Sequence, residues 1–459
     1  MHRHGRPVTS LRHRLWRVCL RAAATIACLA GLGLLAWFAP AIYRHCIRYP
    51  REARAWAELR AQLQQPADET SWPEFRGILH AHSHLSHDSE VPFETVLAAL
   101  QQAGLDFIVL ADHCVDGRAD FSLQWRGLHA GRLFIPGYEM RLGFHAIGVS
   151  TDVILSNDTD NATLARQIVE HGGLLFFVHP EEPRDWDRPE LTGMEIYNLH
   201  TDFKQLRGGL WWLLPELLLN LHKYPDHIYH RLCRRPVAFL ERWDQLNLTR
   251  SVTGVAGNDC HQNVGLRIRV GNAHTLALEE PSPRVLRQWS LTPFQRTWLE
   301  RWFGPLEPGR ILFQIQLDPY ERCARFVNTH LLARELSEPA LREALQTGRA
   351  FVAFNHLVDA TGFRWFARSG SKTVVMGEAV PYTPEVTLHA RAPVPCRFTI
   401  LRHGRVLHQA LGRELDWTPP GPGKYRVEAE LQVLGRWVPW IYANPITLLA
   451  PASAVSPGP

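Results

Sequence analysis

Between residues 77 and 261 one local pattern recurs: a short apolar run ends on His, Asp or Glu. Short apolar runs alternating with helical patterns read as an α/β protein whose strands are buried on both faces. In parallel α/β folds the strand ends form the edge where active sites assemble. The first instance is the sharpest. Gly77-Ile78-Leu79 leads into His80-Ala81-His82, and residues two apart on an extended strand point to the same side. A lone His-x-His is a chance-level signal in a chain with 24 histidines. It gains weight from the strand ends farther along the chain.

The run over 105–110 leads to Ala111-Asp112-His113, and 133–135 leads to Pro136-Gly137-Tyr138-Glu139. The run over 174–178 leads to His179-Pro180, and 252–256 leads to Gly257-Asn258-Asp259-Cys260-His261. His145 stands instead at the start of its run, so its strand is expected to run the other way. The candidate ligands are therefore His80, His82, Asp88, His113, Glu139, His145, His179, Asp259 and His261. Between the first two strands a helix is expected, with Ser89 as N-cap, Pro92 in the first turn and Gly104 as its stop. Phe93, Val96, Leu97 and Leu100 give that helix one buried face.

Mixed imidazole and carboxylate ligands suit borderline divalent ions: zinc, manganese or iron. Closely spaced ions of this kind bridge a water, lower its pKa and present it to phosphorus, while neutralising the phosphate oxygens. No serine or cysteine nucleophile is then required. Cys114 and Cys260 adjoin candidate ligands but read as small buried residues. The eight cysteines lack paired zinc-finger spacing. They read as mostly unpaired thiols, with a disulfide open to a domain outside the cytoplasm.

The N-terminus carries a second constraint. Residues 22–42 hold no charge and match the length of a bilayer span. Arg3, Arg6, Arg12, Arg14, Arg17 and Arg21 precede them without an acid, which orients the span N-in, C-out. The expected division is a basic segment over 1–21, an anchor over 22–43 and a linker helix over 44–72. A cleaved signal peptide is the alternative, since Ala39-Pro40-Ala41 has small residues at the right spacing. The net charge of +5 owes much to this segment. The remainder is near neutral, which argues against a nucleic-acid-binding surface.

The domain that carries these strands is expected over 73–349, interrupted at 206–250 and 281–312. The first interruption holds Leu210-Trp211-Trp212-Leu213-Leu214-Pro215, too short to span a bilayer. It reads as a buried insertion helix or an interfacial one. Residues 350–449 change to alternating runs with turns such as Pro420-Gly421-Pro422-Gly423, an all-β sandwich. The Pro/Ser/Ala-rich tail 450–459 is expected to be disordered.

Taken together, His80-Ala81-His82 with Ser86-His87-Asp88-Ser89, Leu110-Ala111-Asp112-His113, Pro136-Gly137-Tyr138-Glu139, His145, His179-Pro180 and Asn258-Asp259-Cys260-His261 resemble the PHP (polymerase and histidinol phosphatase) superfamily of metal-dependent phosphoesterases. The resemblance implies a distorted (β/α)7 barrel holding two or three divalent metals. By that resemblance His80, His82, Glu139 and Asp259 would bind the first metal and hold the attacking water. Glu139, His145 and His179 would bind the second, and Asp88, His113 and His261 the third. His87 in place of Asp88 stays open. Asp112 is expected to support His113, and Glu195 and Asn198 to lie near the site.

The implied protein is a phosphoesterase in the cytoplasmic membrane, its catalytic part on the extracytoplasmic side, acting on a phosphate mono- or diester. Two other classes stay open: a surface binding or scaffold protein built on a vestigial barrel, and a PHP-type nuclease.

Overall fold

A computed structural model of the chain describes residues 9–204, 210–272, 274–281 and 284–450. Residues 1–8 of the expected basic segment, 451–459 of the expected tail and 205–209 of the first insertion lie outside the described residues. The chain divides into two compact units, Met1–Ala55 with Gln205–Cys233, and Trp56–Lys204 with Arg234–Pro459.

In the smaller unit the helix Thr9–Tyr43 is long and apolar enough to cross a membrane. Ile26, Leu29 and Leu32 stand exposed along it. A π-helical turn, Arg44–Arg48, passes the chain into the helix Tyr49–Ala61. The insertion helices Leu210–Asn220 and Pro225–Leu232 belong to this same unit. Fully buried Glu216 ties it together. Its carboxylate accepts from Arg44 Nε at 2.5 Å, Tyr49 OH at 2.5 Å and Asn220 Nδ2 at 3.0 Å, with Arg231 at 3.2 Å. A buried carboxylate persists only when paired and hydrogen-bonded, as this one is.

The larger unit is mixed α/β. Its first strands are β1 (Glu74–Ala81), β2 (Phe107–Val109), β3 (Asp112–His113), β4 (Arg132–Ile135), β5 (Gly137–Met140), β6 (Phe144–Ile147), β7 (Leu174–Phe177), β8 (Leu191–Asn198) and β9 (Thr253–Cys260). β1 pairs in parallel with β2, β2 with β4, and β3 with β5. β6 runs antiparallel to both β5 and β7, as the position of His145 at the start of its run led one to expect. β7, β8 and β9 are parallel, and β9 pairs back onto β1. Leu79, Val109, Phe176 and Val255 join one buried cluster with Leu341 and Leu345 of the helix Glu338–Thr347. His80, next along β1, is turned to the other face by the strand's alternation.

The helix after β1 is Phe93–Ala103, with Phe93, Val96 and Leu100 buried and Gly104 at φ 65° ending it. Its N-cap is Pro92, not Ser89. Ser89 Oγ instead donates to the His261 carbonyl at 3.0 Å, joining the loop after β1 to the end of β9.

β10 (Asn328–Leu332) runs antiparallel to the first half of β1, and β11 (Ala350–Ala353) runs antiparallel to β10. β11 also pairs with Arg436–Ala443, so strand pairing continues across the expected 349/350 boundary into the antiparallel C-terminal strands. Residues expected as the second insertion contribute to a separate four-stranded antiparallel sheet. In spatial order its strands are Val285–Ser290, Thr275–Glu279, Gly265–Val270 and Ile311–Gln316, and the helix Pro293–Phe303 links two of them.

Candidate metal centre

Each strand of the first part delivers its polar residue at an end. His80 near the end of β1 and His82 just past it are fully buried. Glu139 lies on β5, opposite His113 of β3 and His145 of β6. Asp259 is near the end of β9, with His261 after it. His80, His179 and Asp259 adopt left-handed backbone, φ 61°, 49° and 51°. That conformation costs a non-glycine residue about 1–3 kcal/mol and persists only where the surroundings over-determine it. Here it turns three side chains inward as their strands end.

The side chains converge. His80 Nε2 lies 3.1 Å from Glu139 Oε2 and 3.3 Å from Asp259 Oδ1. His82 Nε2 is 3.3 Å from Asp259 Oδ1 and 3.7 Å from Glu139 Oε2. His179 Nε2 is 3.5 Å from Glu139 Oε1 and 3.4 Å from Asp259 Oδ2. Asp88 Oδ2 is 3.1 Å from His261 Nε2 and 3.5 Å from His113 Nε2. Four overlapping groups with metal-ligand spacing result: His82, Asp88, His113 and His261; His80, His179 and Asp259; His80, His82 and Glu139; and His200, Asp259 and His261.

This grouping differs from the one the resemblance implied. His179 joins His80 and Asp259, and His82 joins the Asp88 group. His145 stands in none of the four groups. Its Nε2 donates to the Leu110 carbonyl at 2.7 Å, which leaves Nδ1 as the lone pair. Burial and nearby His80 push it down to about 3, so the ring is neutral. Gly137 makes room for that bond, because a Cβ there would sit 2.2 Å from the Leu110 oxygen and 2.9 Å from His145 Nε2. Between residues 87 and 88 the geometry favours the latter: Asp88 faces His113 and His261, and His87 is exposed with its ring 4.9 Å from that of His113.

The other histidines show where their protons lie. His80 Nδ1 donates to Glu195 Oε1 at 2.6 Å, His179 Nδ1 to Glu181 Oε1 at 3.3 Å, and His261 Nδ1 to the Asp259 carbonyl at 3.0 Å. His82 Nδ1 lies 2.9 Å from Ser86 Oγ, whose single proton goes to Asp112 Oδ1 at 3.1 Å, so the imidazole is the donor. Ser86 Oγ also accepts the His113 backbone N–H at 2.9 Å. Asp112, which accepts from Ser83 and Gln124 as well, thus supports both His82 and His113 through one serine. In all four rings Nε2 is the atom turned toward the carboxylates.

An unprotonated Nε2 facing a carboxylate is repulsive unless positive charge lies between them. Buried His82 Nε2, His261 Nε2, Asp88 Oδ1 and both Asp259 carboxylate oxygens have no hydrogen-bond partner among the described residues. Although burial opposes charge, Asp259, Glu195 and Glu139 hold His80 well above its ordinary value. Asp259 and Asp88 likewise hold His261 up to about 10. Despite burial, the surrounding histidines keep Glu139, Asp259 and Asp88 ionised. The centre therefore draws positive charge, from imidazolium or from bound ions, and its donor set fits divalent metal ions.

Two contributors were not assigned from sequence. Glu195, a buried carboxylate inside the apolar β8, holds His80 and accepts the His179 backbone N–H at 3.0 Å. Gly257 accommodates it, since a Cβ there would lie 1.9 Å from Glu195 Oε1. His200 follows the end of β8 by two residues, the same strand-end signal that marks the other ligands. Cys114, pushed up to about 11, and Cys260, pushed well above its ordinary value, are kept as neutral thiols by burial.

No family model matches the chain, and no curated protein matches it. Among solved structures it is similar to a two-domain protein from Bacteroides vulgatus ATCC 8482, described as containing a predicted PHP-like metal-dependent phosphoesterase. The identity is 14%, over 83% of this chain and 98% of that one, with a TM-score of 0.36.

Proposed function

We propose that this chain is a metal-dependent phosphoesterase that hydrolyses a phosphate mono- or diester. The observation that carries the reading is the outward placement of the imidazole protons: His80, His82, His179 and His261 each give Nδ1–H to an outer acceptor and turn Nε2 toward ionised carboxylates. That is how histidines are held as metal ligands. The circuit from β1 to β9 and back is read as the distorted (β/α)7 barrel, and the antiparallel C-terminal strands as an accessory β-sandwich domain.

His80, His82, Glu139 and Asp259 would hold one ion, and Asp88, His113 and His261 another. His179, with Asp259, and His200 would complete the set. When bound, divalent ions supply an acidified water as nucleophile and positive charge for the phosphate oxygens. The chain's own part is orientation. Glu195 fixes His80, Ser86 and Asp112 fix His82 and His113, and Glu181 fixes His179. The substrate proposed is a phosphoester other than nucleic acid. The helix Thr9–Tyr43 is read as the anchor, with the larger unit on the extracytoplasmic side.

The test uses the purified full chain with Mn²⁺ or Zn²⁺ on a panel of phosphomonoesters and phosphodiesters. Turnover is expected, and it should vanish together with bound metal in the His80→Ala, His82→Ala double variant. Undiminished turnover in that variant would sink the assignment. A chain free of transition metal by elemental analysis, and inert across the panel, would favour a binding or scaffold role.

A further inference from the structure

We infer that the four-stranded sheet and its linking helix form a second membrane-contacting surface, one that lies on an anionic bilayer interface. Many of their apolar residues are exposed. The helix Pro293–Phe303 has no buried residue. Phe294 is 80% exposed, Trp298 55% and Trp302 70%. Positions 294, 298 and 302 are one helical turn apart and form a single stripe. Strand Val285–Ser290 is exposed throughout, Trp289 included, and Phe313 of the opposite edge strand is 49% exposed. Scattered exposed hydrophobics are ordinary, but an aromatic stripe on a helix that follows an exposed edge strand directly in the chain marks an interaction surface.

Composition and connectivity select the occupant. Residues 284–313 hold three tryptophans and five arginines against two glutamates, with no lysine or aspartate. Tryptophan beside arginine is the pairing favoured at the headgroup level of a membrane. Arg287 lies over the Trp289 ring at 5.5 Å, its charge held beside an aromatic face. Net positive charge complements anionic lipid. The tether adds effective concentration: the apolar helix ends at Tyr43 and the larger unit begins at Trp56. Thirteen residues reach at most about 45 Å, so this unit cannot leave the bilayer's neighbourhood. The inference rests on the anchor reading above, and the site it names is a different one.

The full chain, reconstituted in vesicles of phosphatidylcholine and phosphatidylglycerol carrying a diazirine phospholipid, is photolysed and its peptides mapped for lipid adducts. Adducts are expected on 22–42 and on 284–313. Labelling of 284–313 should be lost in the Phe294→Ser, Trp298→Ser, Trp302→Ser variant. That variant alters only exposed side chains and should keep both its adducts on 22–42 and its turnover of a soluble phosphoester. Adducts on 22–42 with none on 284–313 overturn the inference and spare the anchor. Absence of adducts on 22–42 overturns the anchor and this surface with it. Labelling of 284–313 that survives the triple substitution also overturns the inference.

Discussion

A neutral imidazole has one proton, and its position decides whether the ring can face a metal. Five of the six candidate histidines give a proton to an outer acceptor, which fixes the nitrogen left to face an ion. Glu195 is the most consequential of these acceptors. Glu195→Gln removes the charge that holds His80 and should weaken metal affinity by about 10–100-fold, read by chelator competition. His261 supplies the pH dependence. In the metal-free protein Asp259 and Asp88 hold it up to about 10, so at pH 7 its Nε2 carries a proton that an ion must displace. Metal affinity should therefore rise with pH below about 10, roughly tenfold per unit for each proton displaced. Calorimetric titration in buffers of different ionisation heat should show proton release at pH 7. Release of none would contradict the ligand role of His261. Residues such as His80, Glu139 and Asp259 were legible in the sequence because an apolar run with a polar end is a local signal. Glu195 was not assigned because its partner is 115 residues away along the chain.

At the scale of elements, β9 carries two loads. Its end presents Asp259, and its start is fastened to the C-terminal strands by Asn444. That side chain accepts from Gly254 N at 2.8 Å and donates to Gly254 O at 2.9 Å and Ala350 O at 2.8 Å, all within the core. Asn444→Ala removes the side-chain partner of Gly254 N and Gly254 O, while Ala350 O keeps the Asn444 backbone N–H, and should lower unfolding stability by about 2–4 kcal/mol in a urea titration. The loss should appear in one transition that includes the C-terminal strands. Strand identity was largely readable from the sequence, since β-branched and aromatic runs between turn residues are local. The pairing of β11 with both β10 and Arg436–Ala443 was not, because it depends on chain segments nearly a hundred residues apart. The same holds for the smaller unit, where Arg44 meets Glu216 across 172 residues.

For the molecule as a whole, the centre is a concentration of negative charge that folding must enclose. Adding Mn²⁺ or Zn²⁺ to chelator-treated protein should raise Tm, with about 2.7 kcal/mol of added stability at a hundred times the Kd. The rise should be absent in the His80→Ala, His82→Ala variant. Thermal scans at several metal concentrations check this, and a Tm indifferent to metal would count against a built site. Thr9–Tyr43 was recognisable from composition as an apolar segment long enough to cross a membrane. Its partnership with the insertion helices in one unit was not, because nothing within 205–233 names the segment that covers it.

The left-handed backbone at His80, His179 and Asp259 bears on what substitution there would do. Each residue is one that the local conformation disfavours and that glycine would occupy without strain. Replacement by glycine would relieve the backbone strain, but it would erase a ligand and leave buried partners such as Glu195 unpaired. At these three positions the backbone strain is therefore held in place by the same buried contacts that orient the ligands.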